Sequence, residues 1–121
     1  MIVVCTASAD TYITDKIISS QFRATDSNVG RAGTLDLFKL YDETPLLGVT
    51  GQTEISRALI KFDLQPLYDL TGTILDINSS NFRAYLQIFD IAGGNSTPSN
   101  FNLVAFPLSQ SFDEGVGRDI S

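Results

Sequence analysis

The sequence contains no histidine and no tryptophan, and a single cysteine. Without histidine there is no Ser-His-Asp or Cys-His machinery and no imidazole to hold a metal. The lone thiol, Cys5, cannot form an internal disulfide, so a secreted disulfide framework is excluded. The expected compartment is a reducing cytoplasm or a particle assembled there. Cys5 sits in an apolar run with nothing beside it to activate it, and reads as a core thiol rather than a nucleophile. A phosphate-loop pattern is missing, and Gly115-Val116-Gly117 matches only the first half of a dinucleotide fingerprint. Basic residues are few and scattered singly: Lys16, Arg23, Arg31, Lys39, Arg57, Lys61, Arg83 and Arg118. With a net charge of −6, the chain offers no basic stripe to a nucleic-acid backbone. Long apolar runs are absent too. Residues 1–5 are apolar, but too few for a membrane span or a signal peptide, and no positive charge precedes them. They read as an N-terminal strand. No catalytic, cofactor-binding or metal site is expected, nor a nucleic-acid or membrane partner.

What remains is a β composition. Hydrophobic residues form 43% of the 121, enough for a core and well above a disordered composition. The clearest alternation runs over 55–64, where Ala58, Ile60, Phe62 and Leu64 share one face and Arg57, Leu59, Lys61 and Asp63 the other. A second stretch, 82–89, places Phe82, Ala84, Leu86 and Ile88 opposite Arg83, Tyr85, Gln87 and Phe89. The two are expected to form the centre of a sheet. Further strands are predicted over 2–7, 10–13, 34–41 and 101–108, the last ending at an edge because of Pro107. Between them, 15–31, 48–53, 76–81 and 93–100 carry loop and turn composition. Pro66, with Leu67 and Leu70, allows one helical turn, which Thr71-Gly72 ends. Asn78-Ser79-Ser80 and Asn95-Ser96-Thr97 match the glycosylation pattern but read as ordinary loops. The expected architecture is all-β, an antiparallel β-sandwich or jelly roll with at most one short helical turn, in one domain over 1–121. That domain is the N-terminal or ordered part of a longer protein if the chain continues.

Fourteen carboxylates invite two further readings. Adjacent pairs, Asp42-Glu43 and Asp113-Glu114, point to opposite faces of a strand and so do not converge on a glycosidic bond. Asp113, Glu114 and Asp119 match no calcium-loop spacing. Both groups read as solvated surface. Tyr12, Tyr41, Tyr68 and Tyr85 are the aromatic rings with a polar tip that a sugar site would use, and tyrosines of this kind also cap cores.

Ala7-Ser8-Ala9-Asp10-Thr11-Tyr12-Ile13, then Arg57-Ala58-Leu59-Ile60-Lys61-Phe62-Asp63-Leu64, then Arg83-Ala84-Tyr85-Leu86-Gln87-Ile88 together resemble the DNRLRE type of β-sandwich domain, in the order that family uses. Asn28-Val29-Gly30 stands where the family has a glycine-bearing loop. The likeness covers about positions 6 to 108. The wording of 36–43 and 109–115 is most similar to virion proteins of tailed phages. Two departures bear on it. No signal peptide precedes the domain, which suits a virion protein better than the secreted relatives. The chain also stops where relatives continue into a strand with tryptophan.

The resemblance implies a non-enzymatic virion structural protein, part of a tail, a fibre or a capsid decoration. It would act by assembly with other virion proteins and as a homo-oligomer. The alternative is a carbohydrate-binding module contacting host surface glycans, and a weaker third reading is a glycan-degrading enzyme using carboxylates. Leu59, Tyr85 and Phe89 are apolar on the second face of the expected central sheet. They are the candidate assembly interface, because a two-layer sandwich covers only one face of each sheet.

Overall fold

The computed structural model describes residues 1–89 and 101–117. The loop expected over 93–100 with Asn95-Ser96-Thr97, and Arg118 and Asp119, lie outside the described residues. The chain divides into two compact units: Met1–Asp69 with Phe112–Ser121, and Leu70–Ser111.

The first unit is built on two long antiparallel strands, β1 (Ala7–Thr14) and β5 (Thr53–Phe62). β4 (Lys39–Tyr41) pairs with the other side of β5, giving the order β1-β5-β4. A two-residue hairpin, β2 (Ile17–Ile18) with β3 (Phe22–Arg23), follows β1. The fold is all-β with antiparallel sheets and one short helix, α1 (Gln65–Leu70). Asp63 Oδ1 accepts the Gln65 amide at 3.0 Å at the start of that helix, and Gly72, at φ +84°, follows its end.

The register explains the burial. Tyr12 lies opposite Ala58, Thr14 opposite Ser56 and Asp10 opposite Ile60, so even-numbered residues of both strands share a face. On that face Tyr12, Thr14, Glu54 and Ser56 are buried, and Phe62 is half-buried while Lys61 is exposed. The expected contrast of Phe62 with Lys61 therefore holds, whereas Leu64, expected on the same face as Phe62, lies beyond β5 and is exposed, and Leu59 on the other face is half-buried like Ala58 and Ile60. Ser8 is an extra residue between the Ala7–Phe62 and Ala9–Lys61 pairs, a bulge near the end of the ladder. The buried hydrophobic residues are Tyr12, Ile17, Ala24 and Val29, joined by the buried polar Thr11, Thr14, Glu54 and Ser56. Half of this small core is polar, so hydrogen bonding decides its integrity.

Four expected strands are corrected. Residues 2–6 form no strand, because β5 ends opposite Ala7 and the chain then turns into α1, leaving 2–5 no ladder partner. Only Lys39–Tyr41 of 34–41 is a strand; beyond it, Ser56 holds the segment, its N–H donating to Phe38 O at 3.0 Å while its hydroxyl donates to Asp36 O at 2.6 Å and accepts the Phe38 amide at 2.8 Å. Residues 82–89 and 101–108 have the right alternation and no strand pairing among the described residues. Alternation specifies which side chains share a face; only a neighbouring strand turns that into a ladder. The expected loop 15–31, conversely, contains the β2–β3 hairpin and an Ile13–Asn28 bridge.

Candidate functional site

Two surfaces stand out, one in each unit. The first is the outer edge of β1. One side of β1 is taken by β5; on the other, Val29 N–H donates to Tyr12 O at 3.3 Å and the Asp10 N–H donates to Glu114 Oε1 at 3.1 Å. Asn28 is the centre of this edge. Its side-chain oxygen accepts from the Thr11 hydroxyl, its Nδ2 donates to Asp113 O at 2.7 Å, and its backbone carbonyl accepts the Gly117 N–H at 3.1 Å. Arg31 N–H closes the set on Gly117 O at 2.8 Å. Thr11, fully buried, donates its hydroxyl to Asn28, its nearer acceptor, with Tyr12 O at 3.5 Å.

Glycine makes the approach feasible. A Cβ on Gly117 would lie 2.6 Å from the Asn28 carbonyl oxygen, and one on Gly30 would collide with the Glu114 carbonyl. Gly115, at φ +76°, would drive a Cβ into Asn28. The Asp113–Gly117 stretch, acidic and glycine-rich in sequence, is thus a backbone-on-backbone clasp. The pairing of one Gly-x-Gly with an Asn-x-Gly far upstream was the available signal; nothing in local periodicity marks it.

Beside the clasp, the hairpin is pinned to the start of β5. Arg23 donates to Asp15 O and Oδ2, both at 3.2 Å, and to Thr53 O and Gln52 Oε1, both at 2.8 Å. Asp15 Oδ1 accepts the Ile55 amide at 2.8 Å. Glu54, 1% exposed, accepts the Ile17 amide on Oε2 at 3.0 Å, and its Oε1 has no hydrogen-bond partner. Two of the candidate carboxylates bond backbone: Asp42 Oδ1 accepts the Gly51 amide at 2.6 Å, and Glu114 Oε1 accepts the Asp10 amide on the β1 edge. Among the described residues no group of three or more His, Cys, Asp or Glu is placed to hold a metal, and no helix is long and apolar enough to cross a membrane.

The second surface belongs to Leu70–Ser111. No described residue of this unit is buried. Tyr85 is 88% and Phe89 83% exposed, and Leu86, Ile88, Phe101, Leu103, Val104 and Phe106 are exposed as well. An open groove of about 460 Å³ is formed by turn residues from Thr71 to Asn78, with Asp76 its only titratable side chain, already capping the Asn78 amide at 2.9 Å.

The candidate interface residues are divided between these units. Leu59 is half-buried on β5, opposite Thr11, whereas Tyr85 and Phe89 stand in the second unit. The common sheet face expected for the three does not form, since 82–89 joins no ladder. Of the tyrosines, Tyr12 is core, while Tyr41 on β4 and Tyr68 on α1 are exposed.

No family model, no curated protein and no solved structure matches the chain.

Proposed function

We propose that the chain is a structural component of a tailed-phage virion, in the tail, fibre or capsid-decoration apparatus, that works by protein–protein assembly and not by catalysis. The observation that carries the assembly reading is the Leu70–Ser111 unit. It holds two strand-patterned apolar stretches, 82–89 and 101–108, and has no buried described residue. Exposed apolar clusters on this scale mark interaction surfaces. Strand-patterned segments without a ladder find one by adding to a partner's sheet. Net negative charge keeps free copies apart and soluble before they dock. The virion setting rests on the sequence resemblance of 36–43 and 109–115 to virion proteins of tailed phages. The test is quantitative mass spectrometry of gradient-purified particles from cells that make the protein. Copurification at a fixed copy number is expected, and its absence from washed particles overturns the reading.

The exposed rings of Tyr41 and Tyr68 favour one second reading, a carbohydrate-binding module contacting host surface glycans. A glycan array separates the two. Retention that falls on Tyr41→Ala or Tyr68→Ala supports the module. On the reading preferred here the array stays blank and the protein releases no reducing ends from polysaccharides.

A further inference from the structure

The clasp that closes the β1 edge joins residues 85 apart in sequence, Asn28 and Asp113. Both halves are complete within the first unit, and the bonds between them, from the Asp10 amide to Glu114, from Asn28 to Asp113 O and between Gly117 and the backbone of Asn28 and Arg31, each involve backbone on at least one side. Such contacts depend on the sequence of the two segments and not on which molecule supplies them. The tether between the halves includes Leu70–Ser111, which has no buried described residue and therefore supplies little packing of its own to favour closure within one chain. A covalent link of this length holds its end at no more than about millimolar effective concentration. Copies packed in an assembly meet one another at a comparable concentration.

We propose that 112–117 is an exchangeable clasp: in the assembled state, the segment of one copy docks on the β1 edge and the 28–31 stretch of a second copy of this chain. The bonds are those already seen, Glu114 to the Asp10 amide, Asp113 O to Asn28, and Gly117 to Asn28 and Arg31. Gly30, Gly115 and Gly117 set the specificity, because a side chain on any of them collides with the opposing segment. Reciprocal exchange gives a closed two-fold pair; one-way exchange gives a ring or a filament. This rests on the assembly reading and names the partner and the contact.

The test uses full-length chains in a Cys5→Ser background. One population carries Arg31→Cys and the other Val116→Cys; both positions are exposed, and neither side chain makes a clasp bond. The two are co-expressed and treated with a short bismaleimide. A covalent heterodimer is expected. It should be lost when a synthetic peptide of the 112–117 sequence competes, and retained when the peptide carries Gly115→Ala and Gly117→Ala. An Arg31→Cys/Val116→Cys double variant that closes only within one chain, with no heterodimer from the mixture, overturns the proposal. So does a heterodimer that the native peptide does not reduce. If the chain copurifies with particles yet exchanges nothing, the clasp is an internal lock and the assembly reading stands without it. If exchange occurs and particles lack the chain, the virion reading falls and the exchange remains.

Discussion

At the scale of single residues, the two neighbours Phe62 and Lys61 test the register of β5. The two side chains point to opposite faces of the sheet, Phe62 half-buried and Lys61 exposed. Truncating a fully buried Phe costs about 3–5 kcal/mol, so half-buried Phe62→Ala is expected to cost roughly 2 kcal/mol. Lys61→Ala stays within about 0.5 kcal/mol, as surface changes do. Urea melts of the two variants decide it, and equal shifts would place the register one residue off. Asn28 carries a different kind of load. Asn28→Ala removes the nearer acceptor of buried Thr11 and the donor to Asp113 O, an expected loss of about 1–3 kcal/mol. Hydrogen exchange should speed up at the Gly117 amide, while amides in the β1–β5 ladder keep their order of protection. Unchanged exchange at Gly117 would mean the clasp does not depend on Asn28.

Elements differ in how they are held. Two-residue strands are not stable alone, so the β2–β3 hairpin depends on Arg23 and Glu54 tying it to β5. Its turn works against it: Ser19 and Ser20 both adopt left-handed backbone, at φ 51° and 56°. That conformation costs an L-residue roughly 1–2 kcal/mol, so Ser20→Gly is expected to raise stability by about 0.5–1 kcal/mol. A thermal melt that moves downward instead would show that the Ser20 side chain has a role of its own. The same comparison of elements shows what the sequence could reveal. β5 and the 10–13 half of β1 were legible because each has a partner along most of its length, so alternation and ladder coincide. The short helix was legible from Pro66 and Gly72. Residues 82–89 alternate as well as β5 does, yet pairing is a property of two segments and cannot be read from one. The clasp was hidden for the same reason. Its signal is three glycines and an asparagine that matter only once brought together.

For the whole molecule, the separation of stability from assembly is the main expectation. Tyr85→Ser with Phe89→Ser should leave the melting temperature unchanged, because both rings already stand in solvent, and should lower incorporation into particles. Leu59→Glu, flanked on its face by exposed Arg57 and Lys61, should fold and also incorporate poorly. Unfolding of the isolated Leu59→Glu chain would instead assign Leu59 to the subunit's own core, and normal incorporation of all these variants would remove both surfaces from the interface. The distance along the chain between Asn28 and Asp113 also has a consequence for synthesis. At about 5–20 residues per second, the 85 residues between them take roughly 4 to 17 s to leave the ribosome. Throughout that interval the part of the β1 edge around Asp10 lacks its 112–117 partner on the nascent chain, and ribosomes following on the same message carry shorter copies. If the clasp exchanges between copies, the first 112–117 segment to emerge from the leading ribosome would meet open edges on the chains behind it as well as its own, and the order of translation would bias which edge closes first.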